Sequence, residues 1–307
     1  MTRTASDTIL IRTDLQPEFD PPFLIAEPDR QTAPFVFNAP HAGDVYPAAF
    51  LAASALDPTT LRRSEDAFVD RLFGGVVALG APLMSARFPR AFLDVNREPF
   101  ELDPRMFEGR LPPHANTRSM RVAGGLGTIP RIVSDGQNIY RGRLRVDEGL
   151  TRIETLYKPY HRALRGLLKR TSESFGHVVL IDCHSMPSTS FGRDEDASRA
   201  DIVLGDRYGT SCAGTLTDLV EATLRGRGYA VMRNKPYAGG FITEHYGAPS
   251  LGRNALQVEV NRALYMDERS LAPTARFGSV AADLALAFAA VMGEFGFALE
   301  PLRIAAE

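Results

Sequence analysis

Short apolar runs and helix-spaced apolar stripes alternate along most of the chain. Runs bounded by Gly, Pro or Asn are typical of buried strands, and apolar residues three to four positions apart are typical of helices. The pattern predicts strands at 35–37, 82–85, 91–95, 177–182, 201–204, 229–232 and 255–260. It predicts helices at 64–79 with Ser64 as the N-cap, at 148–169, at 215–225 and over a long C-terminal stretch.

The alternation of strands with helices predicts an α/β fold, a sheet covered by helices on both faces. No internal repeat or linker is visible, so we expect one domain over 33–307. Residues 1–32 carry several prolines and acids and are predicted to form a peripheral arm. The Gly-, Pro- and Arg-rich segment 100–135 has little periodicity, and long irregular segments of this kind are often functional.

Composition narrows the class of protein. The 307 residues are 44% hydrophobic and 23% charged, and 35 basic against 37 acidic residues give a net charge of −2, which indicates no nucleic-acid partner. Cys183 and Cys212 exclude a disulfide framework and favour the reducing cytoplasm. The N-terminus shows no signal-peptide pattern, and the apolar stretch 284–293 is too short for a membrane span. We therefore expect a cytoplasmic protein with no membrane partner.

Two histidines follow or end predicted strands, where α/β proteins bind ligands. His41 leaves the first strand in Pro-His-Ala-Gly-Asp and either faces a pocket or is a turn histidine bonded to local backbone. Asp182 and His184 point the same way in an extended segment, whereas Cys183 points to the other face and packs. Imidazole is the commonest metal ligand, and a carboxylate beside it ligates the metal or orients the ring.

Two further charged residues have the chemistry of a hydrolase. Glu259 lies in an apolar strand, where a carboxylate is costly unless it forms a salt bridge or acts as a general base. Arg97 ends the segment Asp94-Val95-Asn96-Arg97, and its guanidinium either grips a substrate carboxylate or forms a structural ion pair.

Acidic residues that begin the predicted helix 64–79 are candidates for a third metal ligand. Glu65 and Asp66 lie in its first turn and Asp70 one turn later, although acids there also stabilise the helix dipole. Catalytic zinc commonly has three protein ligands and one open position. Two histidines, a carboxylate, a separate Glu and an Arg thus form a minimal metallohydrolase set.

Eight segments in order carry a resemblance to a known family. The chain resembles the N-formylglutamate amidohydrolase family from about residue 34 to 268. The segments are PHAGDVYP (40–47), SEDAFVDRLF (64–73), LDVNREPFE (93–101), IYRGRL (139–144), YKPYHRAL (157–164), LIDCHSMPS (180–188), NKPYAGGFIT (234–243) and LQVEVNRALYMDE (256–268).

This resemblance implies a fold and a metal site. The fold would be three-layered and zinc-carboxypeptidase-like (phosphorylase/hydrolase-like), with a mixed, mostly parallel sheet. One Zn²⁺ per chain, or another divalent metal, would be held by His41, Asp66 and His184, with Asp44 and Glu65 as alternatives to Asp66 and Asp70 outside the ligand set.

It also implies a reaction and a substrate. A zinc-dependent amidohydrolase of histidine catabolism would convert N-formyl-L-glutamate to formate and glutamate, with Glu259 as general base and a nearby Arg stabilising the oxyanion. The catalytic candidates are Glu259 and Arg97; the substrate-binding candidates are Asn96, Arg97, Arg141, Arg143, Asn234, Tyr237, Gly239, Gly240 and Thr243.

Other functions remain open from sequence. The metal could serve another N-acyl amino acid or a short peptide, as in aspartoacylases and carboxypeptidases, or the chain could be a non-catalytic homologue. Phosphate binding through the Gly-rich stretch 124–128 is disfavoured because no P-loop Lys follows it. A serine hydrolase is disfavoured because the sequence lacks Gly-x-Ser-x-Gly.

Overall fold

A seven-stranded mixed sheet forms the centre of the computed structural model, which describes residues 17–133, 136–190 and 200–298. The strands are β1 Phe23–Ala26, β2 Phe35–Ala39, β3 Leu83–Ala86, β4 Phe107–Glu108, β5 Leu144–Arg145, β6 Val178–Met186, β7 Ile202–Gly205, β8 Val231–Arg233, β9 Arg253–Asn261, β10 Met266–Asp267 and β11 Ala272–Pro273. Across the seven-stranded sheet the strand order is β1-β3-β2-β6-β9-β7-β8.

The four strands at the centre of the sheet run parallel. β3, β2, β6 and β9 are parallel neighbours, whereas β1 is antiparallel to β3 and β7 is antiparallel to β9. The carboxyl ends of β2, β6 and β9 therefore meet at one edge of the sheet. The short strands β4 and β5 pair with each other, as do β10 and β11.

Helices cover both faces of the sheet, which confirms the predicted three-layer α/β fold. They are α1 Ala48–Ala53, α2 Pro58–Arg62, α3 Val69–Leu72, α4 Met120–Ala123, α5 Val146–Arg152, α6 Lys158–Phe175, α7 Gly214–Gly226, α8 Phe241–Tyr246 and α9 Phe277–Ala298. A π-helical turn, Ile153–Tyr157, joins α5 to α6, so the predicted helix at 148–169 is one continuous helical segment.

Side chains alternate along β6, and each face of the sheet has its own hydrophobic core. Val179, Ile181 and Cys183 pack with α7 and α9 on one side, so Cys183 is buried packing as predicted. Leu180 packs on the other side with residues of α6, including Leu164. Asp182 and His184 share this second face because side chains in a strand alternate with a period of two.

Two predicted elements are wrong: the strand at 91–95 and the helix at 64–79. Residues 91–95 form turns, in which the Leu93 amide donates to the Pro89 carbonyl and the Asp94 amide to the Thr128 carbonyl. No continuous helix spans 64–79, because the Asp66 amide bonds to the His41 carbonyl and Phe68 has φ of +65°. The Asp94–Arg97 segment consequently follows no strand, and Asp66 and Asp70 do not share a helix face.

The ends of the described chain both contact the sheet. β1, inside the segment predicted as a peripheral arm, pairs with β3; residues 1–16 of that segment lie outside the described residues. α9 contains a 19-residue stretch that is apolar and long enough to span a membrane by composition alone. One of its faces packs on the sheet, where the Phe288 ring meets the Phe37 ring edge-to-face at 5.1 Å.

Candidate metal centre

Three separate parts of the chain bring His41, Asp66 and His184 together at the carboxyl edge of the sheet. His41 lies just beyond β2, and His184 lies near the end of β6. Asp66 follows α2 and is tied to the first of these segments by its amide, which donates to the His41 carbonyl at 3.0 Å. All three side chains are buried.

The donor atoms of the three side chains form a compact cluster. One donor atom of each lies within 4.8 Å of the others. Asp66 Oδ2 is shared: it is 3.4 Å from His41 Nδ1 and 2.9 Å from His184 Nδ1. Two nitrogens and one carboxylate oxygen thus converge, as the sequence predicts.

On the side away from Asp66, a further carboxylate accepts a hydrogen bond from each imidazole and orients the ring. Asp94 Oδ1 is 2.7 Å from His41 Nε2, and Asp182 Oδ2 is 2.9 Å from His184 Nε2. A carboxylate on one ring nitrogen fixes the tautomer and leaves the lone pair of the other for a metal. Both Nδ1 atoms therefore present a lone pair toward Asp66.

This donor set fits a divalent cation. His41 Nδ1 is buried and has no hydrogen-bond partner among the described residues. With both Nε2 atoms donating outward, the Nδ1 lone pairs face a carboxylate oxygen, and only a proton or a cation between them relieves that repulsion. Two imidazoles and one carboxylate are a familiar ligand set of catalytic zinc, which keeps a fourth position open.

The buried charges in the cluster are strongly coupled. Burial opposes ionisation of Asp66, but the adjacent His184 and His41 imidazoles outweigh it and hold the pKa of Asp66 well below its usual range. Burial also opposes protonation of His184, yet the adjacent Asp182 carboxylate raises the pKa of His184 well above normal. Without a metal, a positive charge is thus held between these carboxylates, which is the charge that a cation would supply.

Glu259 lies beside the cluster on the neighbouring strand. It is in register with His184 across the β6–β9 pair, and its Oε1 accepts a 2.8 Å hydrogen bond from Gln257 Nε2. Burial is the main cause that raises the pKa of Glu259, to about 7. A carboxyl group with a pKa near the working pH both accepts and donates a proton.

A cavity of about 290 Å³ opens onto the cluster. Asp66, His184 and Glu259 line it. Its other charged and aromatic lining residues are Arg63, Arg90, Asp94, Arg97, Tyr237 and Arg262. The cavity therefore combines the metal candidates with guanidinium groups suited to carboxylates.

Arg97 reaches this cavity but is partly engaged by backbone. Its Nε and Nη1 donate to the carbonyls of Leu126 and Asn96, and its Nη2 is 3.7 Å from Asp94 Oδ2. Asn96 does not line the cavity: its Oδ1 accepts from the Ile242 amide, and its Nδ2 lies 3.2 Å from His184 Nε2. Of this pair, Arg97 therefore lines the cavity, whereas Asn96 is buried and contacts His184 and the backbone of Ile242.

Of the predicted glycine loop, only Tyr237 lines the cavity. Asn234 adopts φ of +59° and bonds through its side chain to Asp206. The Gly240 amide donates to Gln257 Oε1, and a Cβ at Gly240 would lie 2.4 Å from Asn96 Nδ2. Gly239 and Thr243 support the same turn, since Thr243 Oγ1 donates to the Gly240 carbonyl. This loop positions Gln257 and Asn96.

The remaining candidates lie away from the cluster. Arg141 and Arg143 line a different cavity of about 320 Å³, and Arg141 Nε donates to the Ser54 carbonyl. Asp44 is exposed, and the Glu65 carboxylate is held by Arg62 at 3.0 Å. Neither alternative carboxylate therefore belongs to the donor cluster of Asp66.

Two arginines of the site were missed by sequence reasoning. Arg262 Nη2 lies 3.1 Å from Asp66 Oδ1, and its Nε donates to Ser185 Oγ. Arg90 Nε donates to Asp94 Oδ2 at 3.0 Å. Arg262 could have been identified from its position just after the strand that carries Glu259. For Arg90, the sequence offers only its place four residues before Asp94.

Comparison with known proteins gives consistent matches. The family model described as N-formylglutamate amidohydrolase matches residues 33–266. The crystal structure of an N-formylglutamate amidohydrolase from Ralstonia eutropha JMP134 is 37% identical, with a TM-score of 0.85 over 90% of this chain and 99% of that chain. N-formylglutamate deformylases of Pseudomonas aeruginosa and Pseudomonas putida are 29% and 28% identical, over 86% and 76% of this chain and 92% and 82% of their own.

Proposed function

The chain belongs to the N-formylglutamate amidohydrolase family, and from this premise we propose that it hydrolyses N-formyl-L-glutamate to formate and glutamate with the help of a bound divalent metal. The observation that carries the metal requirement is the buried His41–Asp66–His184 cluster beside Glu259. A hydrolase acting on a linear amide needs a group that activates water, a proton carrier and an anchor for the substrate, and this site has a candidate residue for each role.

The metal would be held by His41 Nδ1, His184 Nδ1 and Asp66 Oδ2. Zinc suits this donor set, because catalytic zinc commonly has three protein ligands and one open position. When bound, such a metal acidifies a water and polarises the amide carbonyl. Asp94 and Asp182 would keep both imidazoles in the ligating tautomer.

Glu259 would carry the proton. Because Gln257 already donates to Oε1, Oε2 is the oxygen left to accept a proton from the attacking water. The same oxygen then delivers this proton to the leaving amine nitrogen, which releases glutamate. Its buried surroundings raise its pKa to about 7, which makes it a stronger base for the first transfer and leaves it acidic enough for the second.

Arginines around the cavity would hold the substrate. Arg97 and Arg90 both line it, and each is also paired with Asp94, which fixes its position. Guanidinium groups bind carboxylates with two parallel hydrogen bonds. Arg262 is bound to Asp66 and Ser185, so it would instead stabilise the ligand set.

Cavity size favours a small acyl amino acid over the alternatives. The volume of about 290 Å³ is at the lower limit of ordinary ligand pockets, about 300 Å³. A formylated amino acid fits this space, whereas a peptide needs an open groove. Another N-acyl amino acid is the second candidate, because such a compound differs from the formyl substrate only in its acyl group.

The proposal includes a cellular setting. The resemblance implies histidine catabolism as the pathway. The buried thiols of Cys183 and Cys212 suit a reducing cytoplasm.

The test is formate release from N-formyl-L-glutamate by protein loaded with zinc, with chelated protein and chelated protein resupplied with zinc alongside. We expect release that the chelator abolishes and zinc restores. Release that survives complete metal removal would refute the metal requirement. Faster turnover of N-acetyl-L-glutamate than of the formyl compound would shift the acyl specificity to the second candidate.

A further inference from the structure

A second and larger cavity lies on the outer side of α6. It has a volume of about 660 Å³ and is an open groove between α6 and α8. None of its lining residues lines the cavity at the metal cluster. The size falls inside the range of small-molecule sites, about 300–1,000 Å³.

Four basic residues of α6 line this groove. Lys158, Arg162, Arg165 and Lys169 are spaced by four, three and four residues, which places them along one face of the helix. All four are exposed, and no Asp or Glu is among the lining residues. This is a local concentration of positive charge on a chain whose net charge is −2.

The two central arginines differ from the lysines at the ends. Lys158 is paired with Glu154 and Lys169 lies 3.6 Å from Glu173. Within residues 17–133, 136–190 and 200–298, no carboxylate lies within ion-pair distance of Arg162 or Arg165. Their positive field is therefore not neutralised locally: after burial, the Arg165 charge is the second cause that lowers the pKa of His245 across the groove.

Aromatic rings form the remaining walls. The Phe241 and His245 rings are stacked at 5.0 Å with an interplanar angle of 18°. The Tyr157 and His161 rings lie 4.3 Å apart at 33° on the α6 side. Flat aromatic walls beside guanidinium groups suit a planar ring attached to an anionic group.

We propose that this groove binds a small phosphate monoester that carries a planar ring, the chemical class of the nucleoside monophosphates. Arg162 and Arg165 would bind the phosphate dianion, because two guanidinium groups match its charge and its acceptor oxygens. The ring would pack on Phe241 and His245. The site is separate from the reaction proposed above and does not depend on it.

The experiment titrates the full-length, zinc-loaded protein with AMP, with inorganic phosphate and with adenosine, by calorimetry. We expect saturable binding of one AMP per chain, and affinities for phosphate alone and adenosine alone that are each weaker by about tenfold or more. The double variant Arg162→Gln/Arg165→Gln should weaken AMP binding by about tenfold or more. Binding should also weaken as salt increases, since both arginines are exposed.

The matched control is Arg110→Gln/Arg269→Gln, which removes the same charge from exposed positions away from the groove. It should leave AMP affinity within about twofold of wild type. Both double variants should keep formate release and melting temperature, which shows that they are folded. Absence of saturation up to about 1 mM AMP, unchanged binding in Arg162→Gln/Arg165→Gln, or phosphate binding as tight as AMP binding would each overturn the proposal.

Discussion

The Asp182 carboxylate, which contacts His184 on the side away from Asp66, allows a direct test of the candidate metal centre. Asp182 is fully buried; its Oδ2 accepts from His184 Nε2 at 2.9 Å, and its Oδ1 accepts from Asn38 Nδ2 at 2.8 Å. Asp182→Asn keeps the shape and removes one acceptor and the charge. We expect zinc affinity to fall by about 10- to 100-fold, the usual effect of losing such an outer partner.

The cause of this loss is that an amide cannot accept from both donors. If its oxygen faces Asn38, its NH₂ faces His184 Nε2, so the ring proton must move to Nδ1 and block the metal lone pair. If its oxygen faces His184, the bond from Asn38 is lost. Asn38 resists turning over because its Oδ1 accepts from the Tyr160 hydroxyl at 2.5 Å.

The expected size is about 1.4–2.7 kcal/mol in zinc binding, which is the same 10- to 100-fold range. Loss of one buried hydrogen bond would also lower the free energy of unfolding by about 1–3 kcal/mol. Competition with a chromophoric zinc chelator at neutral pH measures the first quantity, and urea unfolding of metal-free protein measures the second.

The matched control is Asp103→Asn. Asp103 is also a buried carboxylate, but it binds Arg105 and Arg131 and lies outside the metal cluster. The Asp103→Asn variant should have a lower free energy of unfolding but the same zinc affinity as the wild type. Wild-type zinc affinity in Asp182→Asn, or an equal loss in both variants, would refute the orienting role of Asp182.

Three further predictions test other parts of the structure. Glu259→Gln should lower formate release by about 100-fold or more with zinc content unchanged; an active variant would exclude Glu259 as proton carrier. Burial lowers the pKa of His161 to about 4, so the unfolded state binds its proton first and stability should fall by about 3 kcal/mol as pH falls from about 6.5 to 4. His161→Gln should flatten this trend in urea unfolding at several pH values, and an unchanged slope would contradict it. Gly43→Ala places a Cβ 2.1 Å from the Phe88 carbonyl oxygen and should lower both melting temperature and zinc affinity, whereas Gly166→Ala, with open space around the new Cβ, should not.

The strands and their faces could be predicted from sequence because their signal is local. Apolar runs mark β2, β6 and β9, and the period of two already places Asp182 beside His184 and separates both from Cys183. His41 and His184 could be proposed as metal ligands because they lie at predicted strand ends, where α/β proteins bind ligands, whereas Asp66 was implied by the family resemblance.

The predictions that were wrong concern residues whose positions depend on contacts between distant segments of the chain. The acids at 65, 66 and 70 have the spacing of a helical first turn, yet the bond from the Asp66 amide to the His41 carbonyl sets the local path. Asp94 was predicted as part of a substrate-binding motif, whereas in the structure it lies 2.7 Å from His41 Nε2. No local periodicity encodes either contact, so neither could be predicted without the fold.

The shared oxygen of Asp66 has a consequence for how the protein matures. Its two imidazole neighbours lie on β6 and beyond β2, strands that pair in parallel although Asn38 and Asp182 are 144 residues apart. Such a crossover closes late, after most of the chain has been synthesised. A nascent chain or an N-terminal fragment that ends before His184 therefore lacks one of the three donors. We expect metal uptake to be the final step of folding, so that metal occupancy measures the fraction of chains that have completed their sheet.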